Sequence, residues 1–583
     1  MSLAAPLIDK VYRHENGLKH VNIVNSEGFS ALFVVNTPIF DNSGVAHGVE
    51  HSVFRRSFAF PQPETLFQLT ALTDAKINAS TFAQSTYFHC QSQCLDTFDL
   101  SIQYLLNGLF SPVFDKDDLG CEVYDGHEKG VIYRELIGIE QADKESEIQS
   151  ATEVDVKTDV KSAVKNRAKS TVESAVISAS SETKEEFNYG GVSSTIGNLT
   201  LNDLTAFHQR FYQASNMTLV TANADVEKIS ALISLLPVPT TKKPTNKKQT
   251  NQKLTNQGQK QQASTKQEPP KQEPPKQEPA LKVENKPERK PEINEAANND
   301  ETVQHQAKYS PAINALINAY HVSLQASKHQ NITSYTEVNC SSNANNASNA
   351  NILKNNTAAL ADTLKCGLIA PLALLSKKFV KTANNARTAD INSEAIATTA
   401  KQTLLPKLFS KLCEQAKAQL TSEQLSKAEL SDHARVSKER VSKQQSVQAA
   451  RVCDQNNVLW LTKIIATEQV IANITSYIVS AYPAFLARRC QGFCYATQAL
   501  IIENSAYFAI YSAFDVDPDA RLKEIPKCLL SLSQDKHFIN ASLALAKTKY
   551  CRVQQINCSK VEHLTAEDIS NYLKALTDYS DSE

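Results

Sequence analysis

Apolar and β-branched residues run together in "SALFVVNTPIF" (Ser30–Phe40), and the run predicts a strand. Asn42, Ser43 and Gly44 then supply a turn, with Ser43 placed to cap a following helix. The period changes in "PETLFQLTALT", where Leu66, Phe67, Leu69 and Leu72 recur at helical spacing behind Pro63 and Glu64. "STYFHCQS" alternates and predicts a second strand. "CLDTFDLSIQYLLNGLFSPVF" predicts an amphipathic helix ending near Ser111 and Pro112, and "EKGVIYRELIGIEQ" another. "TLNDLTAFHQRFY", "MTLVTANA" and "DVEKISALISLL" read helix, strand, helix. Strands and helices interleave, so the fold class is α+β.

The pattern lapses in two places. A polar stretch at about 143–186 reads as a loop or exposed helix. Residues 237–308 differ more sharply, because "KQEPPKQEPPKQEP" (Lys266–Pro279) repeats a five-residue unit inside a Lys/Gln/Asn/Thr/Pro tract. Proline removes backbone donors, and too few apolar residues remain to offset the entropy of ordering, so a long disordered linker is expected. Beyond it, "KYSPAINALINAYHVSLQA" is apolar enough to fold. An Asn/Ala-rich patch (Asn339–Asn356) and a Lys/Gln/Ala/Ser tract at about 412–450 read as surface helix or insertion. Apolar pattern returns at Val458, with "SAYFAIYSAF" as a strand and helices carrying Leu529, Leu530, Ile569, Leu573 and Leu576. The expected regions are 1–236, 237–308, 309–457 and 458–583.

At 583 residues the chain is too long for one core. With 61 Lys and Arg against 62 Asp and Glu, no global charge draws it to nucleic acid or an anionic membrane. No apolar run approaches the roughly 18 residues that span a bilayer, and "MSLAAPLIDKVYRHENG" lacks the basic-then-apolar order of a secretory signal. The 12 cysteines are scattered, so a reducing, cytoplasmic location is expected. "HCQSQC" (His89, Cys90, Cys94) and "CQGFC" (Cys490, Cys494) space their cysteines by four, which fits neither a zinc knuckle nor a redox pair. They read as free thiols.

One cluster changes this picture. "GVAHGVEHSVF" (Gly44–Phe54) sets His47, Glu50 and His51 inside five residues of a chain with 13 histidines. On a helix, positions i and i+4 share a face, so His47 and His51 would aim two imidazoles at one cation, in the HxxEH order of inverted zincins. Zn²⁺ suits such a pair, because it polarises a carbonyl and acidifies water. Glu50 would act as the general base. A third ligand could come from "GHEKGVIYREL", where Glu128 and Glu135 lie seven apart and near one helix face. The competing reading is a polar helix face with solvated His and Glu.

The surroundings carry a resemblance. "YRHENGLKHVNIVNSEGFSALFVVNTPIFDNSGVAHGVEHSVF" and "KINASTFAQSTYFHCQSQCLDTFDLSIQYLLNGLFSPVF" resemble the active-site segments of pitrilysin/insulinase-type zinc metallopeptidases, with presequence proteases as the nearest branch. "KGVIYREL" is similar to that family's ligand-bearing helix, which favours Glu135 over Glu128. "NYGGVSSTIGNLTLNDLTAFHQRFYQASNMTLVTANAD" resembles the end of its first domain, and "LARRCQGFCYATQALIIENSAYFAIYSAF" its Arg-x-x-Gly-Gly-x-Tyr segment.

The resemblance implies two α/β sandwich units joined by the linker, and a zinc endopeptidase of unfolded peptides. His47, His51 and Glu135 would ligate zinc, with Glu50 the base on zinc-held water. Asn78 and Ala79 would pair with an extended substrate, and Arg489 and Tyr495 would reach it from the second half. The chain also departs from the family. Gln84 replaces an acidic residue, Gly492-Phe493 replaces Gly-Gly, and the Lys-Gln-Glu-Pro tract replaces a helical hairpin. Those departures leave an alternative: an inactive peptidase fold that holds peptides or a partner subunit. A homodimer enclosing a chamber is a further expectation.

Overall fold

The computed structural model describes residues 8–24, 28–141, 187–236, 309–328, 336–340, 367–369, 372, 375, 408–420, 449–454, 456–464, 466–502 and 507–578. The described residues before 237 and after 308 cluster as one unit. The linker at 237–308, the polar stretch at 143–186, and most of the Asn-rich patch and the 412–450 tract lie outside the described residues.

The first sheet has seven strands. In chain order they are β1 (Ile8–His14), β2 (Lys19–Ile23), β3 (Phe29–Asn36), β4 (Lys76–Thr81), β5 (Ser85–Ser92), β6 (Met217–Ala222) and β7 (Thr336–Cys340). Across the sheet the order is β4-β5-β3-β6-β2-β1-β7, with β2/β6 and β1/β7 parallel and the other pairs antiparallel. β3 is buried over almost its whole length because both sides of the sheet are covered. Leu32 and Val34 face the helix Pro311–Lys328, meeting Ile313, Leu316 and Ile317. Ala31, Phe33 and Val35 point the other way, as the two-residue strand period demands. They join α1 (Val45–Arg55) and α3 (Leu95–Phe110) through Val49, Val53, Phe98, Ile102 and Leu105. Each fully buried Leu, Ile, Val or Phe among them contributes about 1.5–3 kcal/mol. The sheet therefore draws a covering helix and its seventh strand from beyond residue 308.

The second sheet is antiparallel, in the order β10-β11-β9-β8, from β8 (Ala449–Asp454), β9 (Asn457–Lys463), β10 (Ala496–Ile502) and β11 (Tyr507–Ala513). Leu459, Leu461, Ala509 and Tyr511 pack on Leu412, Ala416 and Leu420 of the helix at 408–420. Trp460, Phe508 and Ile510 face the opposite way and join the same core that lies under β3. The fold is thus mixed α+β, with helices on both faces of two sheets.

The two halves meet on α2 (Thr65–Leu72). Gln68 Nε2 donates to Gly367 O (2.6 Å) and Ala481 O (3.2 Å). Lys549 Nζ donates to the last-turn carbonyls of Thr70 (2.8 Å) and Ala71 (3.0 Å), where a cation complements the helix dipole. Arg552 pairs with Asp74 at 3.2 Å. Among the described residues no single helix is long and apolar enough to cross a membrane.

Candidate metal centre

α1 begins differently from the expected Ser43 cap. Gly44 occupies the N-cap with φ of 74° and makes no side-chain cap bond; Ser43 Oγ accepts only from Val45 N, at 3.3 Å. The left-handed turn demands glycine. It also brings Gly44 against Gly191, so closely that a Cβ on either would collide with the other's backbone. This contact delivers the neighbouring carbonyl of Gly190 to His47.

His47 Nδ1 donates to Gly190 O at 3.0 Å. His51 Nδ1 donates to Glu122 Oε2 at 3.1 Å, from the last residue of α4 (Lys116–Glu122). Both acceptors are oxygens without a proton to give, so each ring holds its proton on Nδ1 and turns the Nε2 lone pair inward. The rings meet edge to face, with centroids 4.8 Å apart. Glu135, on α5 (residues 131–141), brings Oε2 to 3.5 Å from His47 Nε2 and 3.9 Å from His51 Nε2. The three candidate ligand atoms lie within 4.8 Å of one another.

Two lone pairs and a carboxylate oxygen thus converge in a buried place, an arrangement that calls for a cation. Ligand atoms around four-coordinate zinc sit roughly 3.4 Å apart, close to the 3.5 and 3.9 Å between Glu135 Oε2 and the two imidazole nitrogens. Ligating histidines also characteristically give their other N–H to a carbonyl or carboxylate, as both do here. The residues present fit a metal ion. Glu128, by contrast, is exposed in the loop before α5, with its backbone bound by Asp125 and Arg134, and stays out of the group.

Glu50 is buried beside the ligands and accepts a hydrogen bond from Thr81 Oγ1. Burial raises its carboxyl pKa above the usual value, against the pull of His47, His51 and Thr81, while Glu135 adds to the rise. Thr81 ends β4, which is one of the two edge strands of the first sheet among the described residues. On the same strand Asn78 Oδ1 accepts from Ala79 N at 2.9 Å.

Glu122 is the best-connected carboxylate of the site. It accepts from Arg55 Nη1 (2.6 Å) and Arg489 Nη1 (3.1 Å) as well as from His51. Burial alone would raise its pKa. Arg489, the His51 bond and Arg55 outweigh that and hold it well below the usual carboxylate range. Arg55 also donates to Asp118 Oδ1 (2.6 Å) and to Cys490 O. Arg489, expected at a substrate, therefore lies behind His51, with its guanidinium 5.2 Å from the Phe67 ring centroid. Tyr495 is half-buried beside Phe514, centroids 6.0 Å apart. Cys90, Cys94, Cys490 and Cys494 are free thiols.

Sequence reasoning missed Thr81, Glu122, Arg55 and Gly190. Arg55 carried one signal, standing four residues after His51 on the same face of the helix expected there, and Glu122 carried none.

Comparison with known proteins adds a partial identification. Residues 198–312 match the family model described as the peptidase M16 inactive domain. The span lies after all four site residues, so the candidate metal centre rests on its geometry alone. An uncharacterised protein of Schizosaccharomyces pombe is 26% identical over 192 residues, 32% of this chain and 16% of that protein. An uncharacterised protein of Borreliella burgdorferi is 22% identical over 227 residues, 37% of this chain and 21% of that protein. The aligned parts thus span about a fifth or less of those relatives. The crystal structure of a protein named as M16-like peptidase, from Alicyclobacillus acidocaldarius, aligns at 18% identity and a TM-score of 0.28, over 40% of this chain and 50% of that one.

Proposed function

We propose that the chain is a zinc-dependent endopeptidase acting on unfolded peptides, with His47, His51 and Glu135 holding the metal. The observation that carries the reading is the convergence of two Nε2 lone pairs and Glu135 Oε2, each imidazole fixed in that tautomer from behind. Bound zinc would supply Lewis-acid polarisation of a peptide carbonyl.

The rest of the chemistry belongs to this chain's own side chains. Glu50 is placed to take a proton from attacking water, hold it on a carboxyl whose pKa burial has raised, and release it to the departing amine. Thr81 fixes one oxygen of that carboxyl. The edge strand offers Asn78 and Ala79 to an extended peptide by strand addition. Arg489 serves this reading by holding Glu122 rather than by touching substrate, and Tyr495 is its remaining candidate for substrate contact from the second half. A presequence-protease-like specificity, a cytoplasmic location and a homodimer belong to the same proposal and rest on the sequence alone.

One observation favours a second reading, a peptide-holding protein without turnover: the matched family domain is the one described as inactive. Metal analysis of the purified chain, paired with cleavage of an unstructured fluorogenic peptide with and without a chelator, decides between them. Chelator-sensitive cleavage supports the peptidase. Bound zinc with peptide binding and no cleavage supports the second reading, and absence of bound metal overturns the zinc centre.

A further inference from the structure

α5 carries Glu135 and, one turn later, Gly138. The ring of Phe514 fills the space where a Cβ of residue 138 would stand, with three ring carbons well inside contact distance of that position. Phe514 directly follows β11, is 7% exposed, and has φ of 50°. A bulky side chain adopts that left-handed backbone only where its surroundings impose it. Residues of the second half also join the first at the start of α5, where Gly130 N donates to Gly492 O at 3.0 Å. A strained aromatic residue from one half is therefore pressed against the position on α5 that has no side chain, three residues from a metal ligand.

We propose that Phe514 and Gly138 form a steric lock through which the second half of the chain sets the position of Glu135. The inference rests on the metal centre proposed above. Metal ligation tolerates displacements of only about 0.2 Å, so a shift of α5 by a fraction of a methyl group would take Glu135 Oε2 out of register with the two imidazoles. The second half then acts on the metal site as its mould. It does so without contributing a ligand.

The test uses the full chain, with zinc affinity measured by competition against a chromophoric chelator, the visible spectrum of the cobalt-loaded protein, and the thermal midpoint of the metal-free protein. Gly138→Ala is expected to weaken zinc binding about tenfold or more, as loss of a ligand-orienting contact does, and to alter the cobalt spectrum. Adding Phe514→Ala removes the ring that the new methyl meets, so the double variant is expected to regain most of the lost affinity. Leu529→Ala, a fully buried core change far along the second half, is expected to lower the thermal midpoint and leave zinc affinity alone. A folded Gly138→Ala protein with wild-type affinity, or a double variant as weak as the single, overturns the lock. Should Gly138→Ala not fold, Phe514→Ala alone decides: a folded protein with weakened zinc binding supports the lock, and wild-type zinc affinity without the ring overturns it. A wild-type chain that binds no zinc removes the metal centre and the lock together, whereas intact wild-type binding with an unaffected variant removes the lock alone.

Discussion

Thr81, at the end of the edge strand, donates its hydroxyl hydrogen bond to Oε2 of Glu50, in the middle of the helix that carries both histidines. The contact ties the strand that would receive a peptide to the group that would move its proton. Glu50→Gln is expected to keep the metal and lose about 10²–10⁴-fold in kcat/KM, the usual worth of a positioned general base. Thr81→Val keeps shape and removes the donor. A hydrogen bond to a charged group contributes about 1.5–3 kcal/mol, so a loss of roughly tenfold or more is expected, with metal content unchanged. Peptide kinetics beside metal analysis check both. A Thr81→Val enzyme at full rate would remove Thr81 from the chemistry.

Glu135 and Glu128 give opposite expectations. Glu135 is buried within 4 Å of both imidazoles, and Glu128 is exposed on the approach to α5. Glu135→Gln is expected to lose the metal, as His47→Ala and His51→Ala are, and Glu128→Gln to retain it. Inductively coupled plasma analysis of the four purified variants gives the answer. Retention of zinc by Glu135→Gln would return the third ligand to open question.

These two carboxylates also show what was legible in the chain. Four-residue spacing put His47 and His51 on one face, because helical periodicity is local. Local periodicity also yielded β3, α3 and β11. It left Glu135 and Glu128 level, and likeness to known sequences, not spacing, favoured the residue that the fold brings in. Glu122 and Gly190 reach the imidazoles from 71 and 143 residues away in the chain, and no periodic pattern encodes such distances. The seventh strand arrives from beyond residue 308 to pair with β1, a placement only tertiary packing decides. Arg489 was legible as an arginine with a role. Its partner was not, because Glu122 lies 367 positions earlier.

Glu122 yields the next prediction. It fixes the His51 tautomer and also neutralises Arg55 and Arg489. Glu122→Gln keeps an acceptor oxygen but loses the charge, which leaves the buried Arg489 guanidinium poorly paired while Arg55 retains Asp118. Breaking a buried pair costs about 3–5 kcal/mol, and loss of an orienting partner weakens metal affinity about 10–100-fold. Both effects are expected in the same variant, by denaturant unfolding of the metal-free protein and by chelator competition. Normal metal affinity in a destabilised Glu122→Gln protein would confine Glu122 to the ion-pair network.

The last prediction concerns acid stability and comes from histidines away from the metal. Burial lowers His20 to about 3, with the His14 charge adding to the effect, and burial lowers His89 to about 4. His20 Nε2 bonds with Thr221 Oγ1 at 2.7 Å inside the first sheet, and His89 packs edge-on against Tyr309. The unfolded chain binds a proton at each near pH 6.5, and the folded chain does not until far lower. More protons are therefore bound by the unfolded state throughout that interval, so stability is complete above pH 6.5 and falls as pH drops toward 4. Each histidine contributes a slope of about 1.4 kcal/mol per pH unit there. Between pH 6.5 and 5 most carboxylates remain ionised, so the histidine effect can be read apart from theirs. Denaturant unfolding of the metal-free chain across that window is expected to show the decline. His89→Leu, which replaces an imidazole whose two nitrogens have no hydrogen-bond partner among the described residues, is expected to flatten it by about one proton's worth. An identical slope in wild type and His89→Leu would mean that His89 is not held neutral by the fold.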